Sequence, residues 1–270
     1  MKISLFAHFT DLVNEKGIIE AAAEVRKCGY DGVEFLYSAS AVPSKETGEE
    51  YRAALTSVGL AAPCVSFYAQ IVSNHAPYSP DRNTVEGLKR GVDFTQAIGA
   101  KYLHHTVYPC MSKECVPDYN SVIKTAVEGC LEVAEYAKSR GMTVLYEPQG
   151  LVFNGKVGFV NFFREMRRHT DNVAVCFDVG NSYWVGEDPF PILRELADNV
   201  VHVHLKDYAS LPDESECDDP CEVSMGNGSV NITALTKHLL AIGYDGFFSV
   251  EDATDTPIAQ KHAQAAKVIG

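Results

Sequence analysis

Four short segments end in side chains that could hold a cation or move a proton. VLYEPQ at 144–149 closes an apolar run with Glu147, and VCFDVGN at 175–181 reaches Asp178 just before a Gly-Asn turn. VVHVHLKD at 200–207 puts His202 and His204 two residues apart, on one face if the segment is a strand. FFSVED at 247–252 arrives at Glu251 after a largely apolar stretch. Carboxylate oxygens suit a hard divalent cation such as Mg²⁺ or Mn²⁺, and an imidazole shifts the preference toward a transition metal. Two carboxylates beside such a cation could also act as proton donor and acceptor. Taken singly each residue has a plainer reading: Asp178 as a turn or helix N-cap, and a lone strand histidine such as His202 as a satisfied core group. The case for chemistry depends on the fold delivering all four to one place.

The elements that would do so repeat along the whole chain. Turn-bounded β-branched and aromatic runs alternate with helical patterns. Strands are expected at 2–7, 32–37, 62–69, 101–107, 143–149, 173–179, 200–207 and 246–252. Helices are expected at 18–28, 45–58, 82–98, 119–140, 157–169, 190–198, 232–242 and 257–268. The phrase GYDGVEF at 29–35 returns as GYDGFFSVE at 243–251, a helix exit at Gly followed by an Asp-Gly turn into a strand. Eight strand-then-helix units without a composition break point to one (β/α)8 TIM barrel over 1–270, with an open doubly wound sheet as the alternative. In such a barrel the C-terminal strand ends share one rim, which is where Glu147, Asp178, His204 and Glu251 fall.

Composition narrows the partners. The chain has 270 residues, 23 Lys+Arg against 36 Asp+Glu and a formal net charge of −13, which disfavours nucleic acid and anionic membranes as partners. Hydrophobic residues make up 46 %, well above the disordered regime. The N-terminal segment lacks a signal-peptide pattern, and no run approaches the roughly 20 apolar residues of a membrane span. Eight cysteines in this length fall short of a disulfide scaffold. Cys28, Cys64, Cys130 and Cys176 lie in helix or strand patterns as small core residues. A reduced, cytoplasmic protein is expected.

LYEP, FDVGN, HVHLKD and SVED, in that order, resemble the sugar isomerase/epimerase superfamily of xylose-isomerase-like barrels, and most closely its ketose 3-epimerase branch. The likeness spans the chain, including GYDGVEF and the GNGSVN stretch at 226–231. It implies that Glu147, Asp178, His204 and Glu251 bind one divalent ion, Mn²⁺ in the first place, with Mg²⁺, Co²⁺ or Zn²⁺ as alternatives. It also implies that Glu147 and Glu251 are the acid/base pair acting on a small sugar or polyol ketone, and that a homo-oligomer is common. Two positions depart from the 3-epimerase pattern: Asn181 stands where a histidine is usual, and Lys206-Asp207 where a substrate-contacting arginine is sought. HLKD endings also resemble the superfamily's inosose dehydratases, so loss of water is the alternative to epimerisation or isomerisation. A barrel that binds sugar without turnover is the third reading.

Asn181, Lys206, His105 and Tyr108 are the expected substrate-binding residues, with His104 pointing the other way and His8 and Glu34 more structural. Tyr37, Phe67 and Trp184 could stack on a sugar or simply pack. Cys110 and Cys115, with Cys217 and Cys221 in ESECDDPCE, are read as solvated loop thiols, a structural zinc site or two disulfides being the alternatives.

Overall fold

Short β-branched and aromatic runs form the strands because alternate side chains can enter an apolar layer on one face only. In the computed structural model, which describes residues 1–110, 116–209 and 221–270, these are β1 (Lys2–Leu5), β2 (Gly32–Val33), β3 (Phe35–Ser38), β4 (Cys64–Tyr68), β5 (Tyr102–His105), β6 (Thr143–Tyr146), β7 (Val173–Asp178), β8 (Val200–Leu205), β9 (Asp207–Tyr208), β10 (Glu222–Val223) and β11 (Phe247–Val250). The helices are α1 (Phe9–Lys16), α2 (Ile18–Lys27), α3 (Lys45–Val58), α4 (Arg82–Ile98), α5 (Tyr119–Ser139), α6 (Asn161–His169), α7 (Pro189–Leu196), α8 (Ile232–Ala241) and α9 (Ile258–Ile269). Among the described residues the main sheet runs β2-β1-β11-β8-β7-β6-β5-β4-β3, with parallel neighbours throughout. Its two ends, β2 and β3, are halves of one strand interrupted at Glu34, and a parallel bridge from Gly32 to Ala61 joins the seam. The result is the (β/α)8 barrel expected from the repeat.

Side caps punctuate the helices. Ser44, Asp81, Asp118, Asp188 and Asn231 each accept a backbone N–H in the first turn, an interaction worth about 0.5–2 kcal/mol. Outward alternation sends Val65, Leu103, Val144, Tyr146, Val203 and Val250 into the apolar layer under the helices. The inward positions are unusually polar: Ser66, His104, His204 and Ser249 meet Glu34 or one another through hydrogen bonds near the barrel axis.

The structure departs from the expected elements in a few places. The helix α1 precedes α2, entered from His8 at a left-handed φ of 70° and closed at Gly17. The expected helix at 157–169 is a π-turn over Gly155–Val160 followed by α6. A turn of 3-10 helix, Asn181–Val185, follows β7, and β9 pairs antiparallel with β10 beyond the rim. No described helix is long and apolar enough to cross a membrane.

Candidate metal centre at the barrel rim

Strands β6, β7, β8 and β11 are consecutive neighbours in the barrel, so their C-terminal ends form one arc. Glu147 follows β6, Asp178 ends β7, His204 lies one residue before the end of β8, and Glu251 follows β11. One ligand atom from each of the four lies within 4.8 Å of the others. His204 organises them: its Nδ1 is 2.9 Å from Glu147 Oε2 and 3.1 Å from Glu251 Oε2. Its Nε2 lies 3.1 Å from Glu34 Oε1 on the opposite side of the ring, and Phe6 stacks on the ring face with centroids 4.8 Å apart.

Asp178 divides its two oxygens between the roles the sequence left open. Oδ1 accepts the backbone N–H groups of Gly180 (2.8 Å) and Asn181 (2.6 Å), the turn function. Oδ2 is buried without a hydrogen-bond partner and looks toward Lys206 Nζ at 3.4 Å. Lys206 Nζ also donates to Glu251 Oε1 (2.7 Å) and to Asn181 Oδ1 (3.3 Å). The lysine fits because Gly180 has no side chain: a Cβ there would come within 2.8 Å of Lys206 Cγ and 2.9 Å of the Tyr208 ring.

The charges are strongly coupled. Burial pushes the Asp178 carboxyl up, with Lys206 opposing and Glu251 and Glu147 adding to the rise, to about 7. Burial acts the same way on Glu251, but the Lys206 ammonium and His204 overcome it and hold the group low. Burial would lower His204, yet its interactions with Cys176, with the Glu34 carboxylate and with Glu147 hold it well above its ordinary value. Lys206 is likewise raised against burial by Asp178 and Glu251. Three carboxyl groups are thus gathered beside one ammonium and one imidazolium. A buried acceptor with no donor and a three-oxygen, one-nitrogen donor set fit a divalent cation.

Glu34 was expected to be structural, and its contacts show how. Its fully buried carboxylate accepts from Ser66 (2.5 Å), Ser249 (2.8 Å) and His202 Nε2 (2.8 Å) as well as facing His204. His202 is accordingly a buried partner of Glu34 rather than a member of the rim cluster.

On β5 the expected phase is reversed. His104 faces inward: its Nδ1 pairs with Ser66 Oγ at 2.9 Å, and its Nε2 is 3.5 Å from Glu147 Oε1. His105 turns outward, edge-on to Tyr146 at 5.0 Å, with Nδ1 on the Thr106 carbonyl at 2.9 Å. Register decides this, since His104 lies between Ser66 and Leu145 in the sheet and Ser66 points to the axis. Burial lowers both histidines' affinity for a proton, His105 to about 4. Tyr108 is buried in the apolar cluster, its carbonyl against Gly150. Of the four expected substrate contacts, Asn181 and Lys206 therefore adjoin the cluster, and His105 points into the strand–helix layer.

A cavity of about 660 Å³ opens above Glu251, lined by Phe6, His8, Tyr37, Tyr68 and Glu222 among others. Tyr37 thus reaches the rim, Phe67 is wholly buried under α4, and Trp184 donates its indole N–H to Tyr208 Oη at 3.0 Å. Asp207, beside Lys206, accepts the N–H groups of Gly226, Gly228 and Val230 and so folds the GNGSVN stretch. Cys115 and Cys217 lie outside the described residues; Cys64, Cys130 and Cys176 are fully buried and Cys28 half-buried, as small core residues would be.

The family model described as xylose isomerase-like TIM barrel matches residues 22–269. Among curated proteins, an inosose dehydratase of Clostridium perfringens is 27 % identical over 211 residues, covering 70 % of this chain and 69 % of the relative. Among solved structures, the apo form of 3-keto-D-glucoside 4-epimerase YcjR from E. coli superposes with a TM-score of 0.76 at 18 % identity, covering 99 % of this chain and 98 % of that one. The IOLI protein with a bound zinc atom gives a TM-score of 0.75 at 17 % identity, covering 99 % and 96 %.

Proposed function

From the premise that this chain belongs to the xylose isomerase-like TIM barrel family, we propose that it is a divalent-metal-dependent epimerase or isomerase of a small sugar or related polyol ketone. The observation that carries the reading is the convergence of Glu147, Asp178, His204 and Glu251 within 4.8 Å at the catalytic rim of the barrel. These four would hold the ion, Mn²⁺ being the first expectation. A zinc-bearing neighbour of the same fold supports a metal in general without fixing its identity. When bound, the cation supplies electrostatic stabilisation of charge developing on a carbonyl oxygen.

The remaining work falls to the side chains. Glu147 and Glu251 come from the outer two of the four adjacent strands, with Asp178 and His204 between them. One takes the proton from the carbon next to the carbonyl, and the electron pair of the broken C–H bond enters the enediolate. The other returns a proton, to the opposite face of the same carbon for epimerisation or to the neighbouring carbon for isomerisation, in which the hydroxyl proton also passes to the former carbonyl oxygen. Lys206 and Asn181, hydrogen-bonded to each other beside the cluster, would bind hydroxyls, and the aromatic lining of the mouth would cover the sugar's apolar face.

Dehydration is the second reading, and Lys206 favours it. An ammonium 2.7 Å from Glu251 can donate to a departing β-hydroxyl, so that the enediolate collapses with loss of water. The inosose dehydratase relatives are in keeping with this branch. Both readings share the first proton abstraction, so solvent deuterium exchange tests them together. Metal-loaded protein incubated with ketoses and inososes in heavy water should label the carbon next to the carbonyl. Glu147→Gln and Glu251→Gln should each reduce the labelling by about 10²–10⁴-fold. Full activity in both variants would contradict the mechanism, and a product lighter by one water selects the dehydratase.

A further inference from the structure

Below the rim cluster lies a second set of ligating side chains that the proposed reaction does not use. Glu34, Cys64 and His202 each present a ligand atom within 4.8 Å of the others, and all three are buried. They come from the interrupted second strand, from the start of β4 and from β8, so their side chains converge on the barrel axis from different sides. We propose that Glu34, Cys64 and His202 form a second metal site, for a thiophilic divalent cation of the zinc type.

The donor set argues for that class of ion. Thiolate, imidazole and carboxylate together are characteristic of zinc coordination and unlike the oxygen-rich rim. Glu34 and a Cys64 thiolate carry two negative charges, which one dication neutralises in a space where uncompensated charge is costly. As the sulfur–metal bond forms, the Cys64 proton leaves to solvent and no other reactant is needed. His202 presents Nε2 toward Glu34 at 2.8 Å, while its Nδ1 is buried with no hydrogen-bond partner among the described residues. An ion would enter from the N-terminal end of the barrel, on the side of His202. A cavity of about 610 Å³ there is lined by His202, Tyr102 and Pro63, the neighbour of Cys64. Three protein ligands leave the fourth tetrahedral position for a water from that cavity.

None of the four rim ligands offers sulfur, so a cobalt–thiolate band reports a cysteine, and substitution separates Cys64 from Cys176, which lies within 4.8 Å of His202 and His204. Chelator-stripped full-length protein titrated with Co²⁺ is expected to take up two ions per chain and to show a thiolate-to-cobalt charge-transfer band. Cys64→Ser and, separately, His202→Gln should abolish the band and one equivalent of cobalt. Asp178→Asn should lose the other equivalent and keep the band. Cobalt uptake by the wild-type chain without a charge-transfer band, or a band that survives Cys64→Ser, would overturn the proposal. The rim reading would stand in either case.

Discussion

Glu34 Oε1 lies 3.1 Å from His204 Nε2, which binds the two residues across 170 positions of sequence and across the barrel axis. The contact fixes which ring nitrogen faces the rim. With Nε2–H donated to Glu34, Nδ1 faces Glu147 and Glu251; it donates its proton to Glu147 in the metal-free protein and would offer its lone pair to an ion once that proton is lost. A carboxylate behind a ligating imidazole also raises its basicity.

Removing that support should weaken the rim ion without removing any of its ligands. Glu34→Gln is expected to lower the affinity of the ion that Asp178→Asn abolishes by about 10–100-fold. Competition with a chromogenic chelator measures it. Unchanged affinity in a folded variant would mean that Glu34 does not orient His204.

Lys206 occupies the charge position a cation would take, 2.7 Å from Glu251 and 3.4 Å from Asp178. Lys206→Met removes this competition and leaves two buried carboxylates uncompensated. Metal binding in the absence of substrate should therefore tighten by tenfold or more, about 1.4 kcal/mol. Turnover should fall at the same time, since the ammonium proposed to bind hydroxyls is lost. Weaker metal binding in isothermal titration would show that the lysine supports the ion.

The carboxyl of Asp178, pushed up to about 7 by burial, and His204, raised well above its ordinary value, both hold protons that a cation must displace. Metal affinity should rise as pH increases through 7. For the metal-free protein the sign is opposite. A group whose folded pKa is raised binds more protons native than unfolded, so its contribution to stability declines as pH rises from its unfolded value through its folded one. Asp178 thus disfavours the folded state progressively from about pH 4 to about 7, and His204 above its ordinary range. Glu251 is depressed and contributes stability that is lost only toward strongly acid pH. Thermal melts with chelator and with saturating metal, across pH 5 to 8, should diverge as pH rises.

Much of this centre is legible in the sequence because each rim residue is a polar group closing an apolar run. Strand ends are what a parallel barrel exposes at its catalytic face, so Glu147, Asp178, His204, Glu251 and Lys206 can be placed by counting strands. The phase of β5 is not legible that way. It is four residues long and carries His104 and His105 side by side, and only the pairing with Ser66 and Leu145 decides which one faces inward. Glu34 reads as structural, but its partners are hidden for another reason: they lie 32, 168, 170 and 215 positions away, and no local pattern records contacts across a barrel axis. The helix α1 carries no such signal, being short and entered from His8, which offers no side-chain cap.

The loop beyond β8 should be sensitive to a single methyl group. A Cβ on Gly228 would overlap the Asp207 carboxylate and the Tyr208 carbonyl, both fixed by the turn itself. Gly228→Ala should displace the hydrogen bonds that Asp207 accepts from Gly226, Gly228 and Val230, and destabilise the protein by about 1–3 kcal/mol. Chemical denaturation measures the loss, and an unchanged midpoint would show that the turn relaxes freely.

Anomalous diffraction from crystals grown with Mn²⁺ is the most direct test of the rim site. A peak is expected among Glu147, Asp178 Oδ2, His204 Nδ1 and Glu251, with Lys206 moved off the Asp178–Glu251 pair. A map with no peak there, and Lys206 still bridging the two carboxylates at saturating Mn²⁺, would contradict it.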